Sequence, residues 1–247
     1  MKKTTQSYIF SIFIIFSCVN EASTNEINSS STPSTSDNKI MPLGASRVDA
    51  NRPYFESYRY ELWKLLLNSE LEFDYVGTQN DNSDYPPYLG ETFDIDHEGR
   101  GGWTAEGILS EMDNWLDNTD IPDIVLFSAP GGNDALDGVD YNTIISNVNS
   151  IIDILQNRNP NITIIIEIPA PVHSSLMTGY INDYFVQLEN DIEGLCSNQT
   201  TSSSQVIYVD MSTDFIDDYL ADDLHYNQDG AQFIANKYYE VLINILQ

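Results

Sequence analysis

Basic residues are scarce: 10 Lys and Arg stand against 38 Asp and Glu, a formal charge of -28. Such a chain repels nucleic acid, anionic lipid headgroups and anionic polymers, so those partners are excluded and a neutral one fits. Cysteine is scarcer still, with only Cys18 and Cys196. They cannot build a disulfide framework, and Cys196, on a helical segment without a histidine context, reads as a small core residue. Histidine occurs three times, as His97, His173 and His225. Asp94, Asp96, His97 and Glu98 are metal-type side chains, but no second His or Cys completes a zinc set, and an acidic chain produces such clusters by chance. No metal site is expected. The run NDNSD from Asn80 lacks the glycine and distal Glu of a calcium loop. Gly-x-Ser-x-Gly is absent too, which excludes a nucleophile elbow of that type.

Only one apolar run stands out by length, Tyr8 to Phe16, and it is too short to span a bilayer as a mature helix. Preceded by Lys2 and Lys3, it reads as an export signal over residues 1–18. Ile15, Phe16, Ser17 and Cys18 resemble a bacterial lipobox, although Phe16 is an unusual occupant. Lipid attachment at Cys18 is favoured over ordinary cleavage nearby, so the expected place is the bacterial cell envelope or surface, with free secretion as the alternative. Any membrane contact is then through that anchor alone. Residues 19–38 are rich in Ser, Thr and Asn without an apolar period and read as a tether. One domain is expected over residues 39–247, of about 205–210 residues, enough for a sizeable core.

Within it, apolar patterns alternate between two periods. Strands are expected at Lys39–Leu43, Phe73–Thr78, Ile124–Ala129, Asn161–Ile168 and Gln205–Asp210; helices at Tyr58–Leu67, Thr104–Leu116, Tyr141–Gln156, Gly179–Leu195 and Ala231–Leu246. Five alternations predict an α/β fold, a five-stranded parallel sheet with helices on both faces. The stretch Gln79 to Gly101, with Pro86 and Pro87, reads as a long polar loop, and a loop of that length in a compact domain is functional more often than filler. Tyr54, Tyr85, Tyr88 and Trp103 are either a groove for sugar rings or packing residues.

Polar residues gather where strands end. Ser46 follows the first strand and Gly44, held on rigid backbone at a sheet edge; a helix cap is the plainer reading. His225 has Asp222 three residues before it, a spacing that lets a carboxylate reach Nδ1 while Nε2 points outward; a surface histidine is the plainer reading. Gly102 follows the second strand, where glycine lets a backbone N–H approach a ligand, and Asn133 in GGND follows the third. Arg47, beside Ser46, either contacts a substrate or neutralises nearby acids, the second being favoured.

Gly44 to Ser46, Gly102, Gly131 to Asp134 and Asp222 to His225 resemble, in order and spacing, the four blocks of the SGNH (GDSL-like) hydrolases. MPLG, YRYELW, VGTQ and HEGRGGWT further resemble the carbohydrate esterase branch that includes acetyl xylan esterases. The resemblance covers nearly all of the domain. It implies a flavodoxin-like three-layer α/β/α sandwich, no cofactor, Ser46 as nucleophile, His225 as base and then acid, and Asp222 as the carboxylate that orients it. It also implies an oxyanion hole made of the Ser46 N–H, the Gly102 N–H and the Asn133 amide. Which residues bind substrate is left open, with Arg47 and Trp103 as candidates from their own positions. The activity implied is hydrolysis of small acyl esters, acetyl foremost, on carbohydrate. Other short-chain or aryl esters, and a non-catalytic surface glycan-binding protein on the same fold, are the alternatives. Ala45 stands where the family usually has Asp, which bears on turn geometry and substrate preference more than on activity.

Overall fold

The computed structural model describes residues 38–246. The expected export segment, Cys18 and the tether up to residue 37 lie outside the described residues. Among the described residues, no helix is long and apolar enough to cross a membrane.

Five parallel strands form where sequence periodicity places them: β1 (Lys39–Gly44), β2 (Asp74–Tyr75), β5 (Ile124–Phe127), β6 (Thr163–Ile168) and β7 (Gln205–Asp210). The sheet has seven strands rather than five, because β3 (Gln79–Asn80) and β4 (Asp96–Gly99) belong to it. β4 lies parallel to the second half of β1, and β3 pairs antiparallel with β4. β2 occupies the same side of β1 along its first half. The expected loop at 79–101 is therefore partly sheet. Its residues form no apolar pattern because polar partners satisfy them: Asp81 pairs with the buried Arg59 at 2.8 Å, and Glu98 with Arg100 at 2.9 Å. His97, buried in β4, accepts the Gly99 N–H on Nδ1, so its proton sits on Nε2. Burial pushes its pKa down to about 2.

Alternate residues of each strand enter different cores, as a period of two requires. Met41, Val125, Phe127, Ile164 and Ile166 pack toward α3 (Ala105–Asp117), α5 (Tyr141–Arg158) and α6 (Tyr180–Gln199). Ile40, Leu126, Ile165 and Val209 pack toward α2 (Arg59–Asn68) and α7 (Gln228–Leu242). The result is a three-layer α/β/α arrangement. Helix starts are fixed by side chains that accept first-turn N–H groups: Thr104 for α3, Asp140 for α5 and Asn227 for α7. Cys196 is buried in the first core, as expected, and burial pushes its thiol up to about 11.

Strand order runs β3-β4-β1-β5-β6-β7. The chain passes from β4 by way of α3 across β1 to β5, so the carboxyl ends of β4, β1 and β5 meet where the order reverses. In open parallel sheets that crevice is where ligands bind.

Candidate active site

β1 ends on Gly44, and the next residues turn into the short helix α1 (Ser46–Asp49). A Cβ on Gly44 would lie 2.9 Å from the Ser128 carbonyl oxygen and 2.9 Å from Val48 Cγ2, so only glycine lets the strand end sit this close to β5. Ser46 is thereby presented at the crevice, on the first turn of a helix, with its N–H donating to nothing among the described residues.

The other partners arrive from the far end of the chain. His225 Nε2 lies 2.9 Å from Ser46 Oγ, and His225 Nδ1 lies 2.8 Å from Asp222 Oδ2. Asp222 organises its own turn, its Oδ1 accepting the Leu224 N–H at 2.8 Å and the His225 N–H at 2.7 Å. Partial burial raises the Asp222 carboxyl, but hydrogen bonds from the His225 ring and these two N–H groups outweigh it, and the net shift is below the usual carboxylate value. Phe55 covers one face of the imidazole, ring centroids 3.9 Å apart and planes 14° from parallel. That stack leaves the ring edge, and so Nε2, directed at Ser46.

Gly102 sits in the turn after β4 with φ +79, a conformation that favours glycine. Asp49 of α1 holds the preceding residue, accepting the Gly101 N–H at 3.0 Å, while the Gly102 N–H has no acceptor among the described residues. Asn133 lies on α4 (Gly132–Leu136), just after β5. Its Nδ2 donates one proton to the Trp103 carbonyl at 2.7 Å, which leaves the second available. Next to it, buried Asp134 accepts the Ala105 N–H at 2.7 Å and ties α4 to the start of α3. Behind the turn, buried Glu167 of β6 accepts the Ala129 N–H and the Tyr238 hydroxyl, each at 2.7 Å. Burial raises the Glu167 carboxyl above the usual range.

Arg47 forms no ion pair by direct contact among the described residues; its Nε, Nη1 and Nη2 donate to the carbonyls of Leu224, Ala170 and Pro171 at 2.9, 2.5 and 3.2 Å. Held by three backbone oxygens, the guanidinium is a strut between the serine, the histidine turn and the chain after β6. Trp103 likewise packs, against Trp115 at 5.2 Å between centroids and under Arg100. Tyr85 bonds Asp81 and Tyr88 bonds Asn68, whereas Tyr54 is 76% exposed on the turn that carries Phe55. Asp94 accepts the Tyr75 and Asp96 N–H groups, so the acidic run serves backbone partners.

Sequence reasoning missed Phe55, Asp49, Glu167 and the strut role of Arg47. Each acts on a residue distant in the chain, and no local pattern marks such a pairing. Asp134, beside Asn133 in GGND, was within reach of the pattern but carries no signal that separates it from a surface acid.

Chemically, the arrangement offers a hydroxyl bonded to an imidazole, an imidazole bonded to a carboxylate, and three N–H groups after three adjacent strands. Comparison with solved structures finds the same fold. A carbohydrate esterase family 3 protein from Talaromyces cellulolyticus superposes with a TM-score of 0.72 at 29% identity, over 84% of this chain and 97% of that one. An acetyl esterase variant with an acetate ion gives the same values, a TM-score of 0.72 at 29% identity over 84% and 97%. A family 3 carbohydrate esterase from Clostridium thermocellum gives 0.68 at 31% identity, over 84% and 96%. No curated protein sequence matches the chain. The model of the GDSL-like lipase/acylhydrolase family matches residues 69–233, a span that begins after Ser46 but includes Gly102, Asn133, Asp222 and His225. With the fold, the order of the blocks and this match over more than half its length, the chain belongs to the GDSL-like lipase/acylhydrolase family.

Proposed function

We propose that this protein is a serine esterase that removes small acyl groups, acetyl foremost, from carbohydrate. The observation that carries the reading is the continuous hydrogen-bond chain from Ser46 Oγ to His225 Nε2 at 2.9 Å and from His225 Nδ1 to Asp222 at 2.8 Å. Ser46 Oγ attacks the ester carbonyl carbon as its proton passes to His225 Nε2. The carbonyl oxygen becomes an oxyanion that accepts from the Ser46 N–H, the Gly102 N–H and the free Asn133 amide proton. Collapse breaks the bond to the sugar oxygen, which takes the proton from His225 and leaves as the alcohol. Water then gives a proton to His225 and attacks the acyl carbon; the second collapse returns that proton to Ser46 and releases the carboxylic acid. Asp222 holds the imidazole tautomer throughout and stabilises its charged form.

The carbohydrate half of the reading rests on the two family 3 carbohydrate esterases at 29% and 31% identity, and on the exposed Tyr54, next in sequence to the Phe55 that stacks on His225. The test is acetate release from acetylated xylan by residues 38–247, beside Ser46→Ala, together with a fluorophosphonate label followed by intact mass. Expected are acetate release lost in the variant and one adduct, at Ser46. A folded protein with no adduct and no turnover sinks the reading and favours a non-catalytic glycan binder, whose binding would survive Ser46→Ala. Nitrophenyl acetate turnover without acetate from any acetylated polysaccharide sinks only the carbohydrate half.

A further inference from the structure

Ser46, Arg47 and Asn133 are the polar residues lining a cavity of about 50 Å³ whose remaining wall is hydrocarbon and backbone. Leu136 closes it from α4, Val172 from the chain after β6, Leu224 from the histidine turn, and Ile181 and Phe185 from α6. Ile181 and Phe185 are four residues apart, so they share one helical face. His225 is not part of the lining, although its neighbour Leu224 is.

This placement decides which part of an ester the cavity takes. The attacked carbon has three substituents besides the serine oxygen: an oxygen that must face the Gly102 and Asn133 donors, a leaving-group oxygen that must lie within reach of His225 Nε2, and the acyl chain. The first two positions are spoken for. A cavity that reaches Ser46 and Asn133 but not His225 is left for the third. Its wall agrees, since sugar hydroxyls there would lose their water partners, while methylenes would gain by burial. Its size agrees as well: one water needs roughly 10–15 Å³ on this scale, so the cavity holds a few heavy atoms.

We propose that this cavity is the acyl subsite, that it accepts straight chains of about two to four carbons, and that Phe185 on α6 sets the upper limit. The inference rests on the esterase reading above and adds the acyl class to it. Phe185 carries the largest apolar side chain in the wall and so limits the chain length, and the enzyme takes acetyl, propionyl and butyryl groups and turns away long fatty acyl esters.

The test varies the acyl chain at a constant leaving group, using nitrophenyl acetate, butyrate, hexanoate and octanoate. In the wild-type protein, kcat/KM for butyrate is expected within about tenfold of acetate, with octanoate at least about a hundredfold lower. Phe185→Ala is expected to raise the octanoate-to-acetate ratio about tenfold or more. Ile181→Phe, which adds bulk, is expected to lower butyrate more than acetate and serves if the first variant does not fold. The inference is overturned if acetate alone is turned over by the wild type, or if both variants keep the wild-type profile; in either case the esterase reading stands. If the wild type turns over no ester and no serine is labelled, the esterase reading fails and takes this inference with it.

Discussion

Arg47→Met is a stringent perturbation of the site, because it keeps an unbranched apolar stem and deletes every donor at once. The guanidinium bond to the Ala170 carbonyl is buried, and a charge-assisted bond there is worth about 2–3 kcal/mol. The bonds to Leu224 and Pro171 are partly exposed, at about 1 kcal/mol each. Its position 4.7 Å over the Tyr226 ring adds about 0.5–1 kcal/mol. The sum is about 4–6 kcal/mol, a large share of the roughly 5–15 kcal/mol that holds a domain folded. Urea unfolding checks that figure. Kinetics separates the strut from a general packing role: the Leu224 carbonyl lies next to His225, and a shift of about 1 Å in the histidine turn costs up to about a hundredfold in rate. Expected on nitrophenyl acetate is a kcat lowered about 10- to 100-fold with KM little moved, and Arg47→Lys, which keeps one point contact, falls between. Stability within about 1 kcal/mol of wild type would refute the bond assignment. A normal kcat in a destabilised protein would refute the link to His225.

Asn133→Ala removes one oxyanion donor and the bond to the Trp103 carbonyl together. A kcat loss of about 10²–10³ is expected with little change in KM, and steady-state kinetics showing less than about fivefold would take Asn133 out of the oxyanion hole. His97 gives a pH prediction. It is held neutral in the fold with its pKa pushed down to about 2, against an ordinary value of 6.5, so below pH 6.5 the unfolded chain takes up a proton that the folded chain refuses. Its contribution is whole above that pH and declines as pH falls, by about 2 kcal/mol at pH 5. Urea unfolding of wild type and His97→Gln at pH 7 and pH 5 should show the variant losing about 2 kcal/mol less over that interval; equal losses would mean that His97 titrates normally.

The strands legible in advance are those with continuous apolar runs. IVLF and TIIIEI announce themselves because both faces of a parallel strand are buried. β4 could not be read that way. Its residues Asp96 to Gly99 are polar, and they lie in the sheet because Asn80 satisfies Asp96, Thr78 and Arg100 satisfy Glu98, and the Gly99 N–H donates to His97. The helix start at Thr104 was legible, whereas α7 begins three residues before the expected Ala231, with Asn227 as its cap, and α5 and α6 end two and four residues past the expected limits.

Sequence alone determined what depends on residue type and neighbours: the α/β alternation, the negative charge, and the Asp222 to His225 turn, whose carboxylate reaches the ring within three residues. It also marked Ser46, Gly102 and Asn133, because small and polar residues follow strands where the backbone must turn. Only tertiary structure decided that Ser46 and His225, 179 positions apart, meet at 2.9 Å. The same holds for Phe55 on the imidazole, for Arg47 spent on three carbonyls, and for Ile181 and Phe185 of α6 walling the cavity beside the serine. Such pairings arise when the sheet order brings distant strand ends together, and no periodicity in a linear chain records which ends those will be.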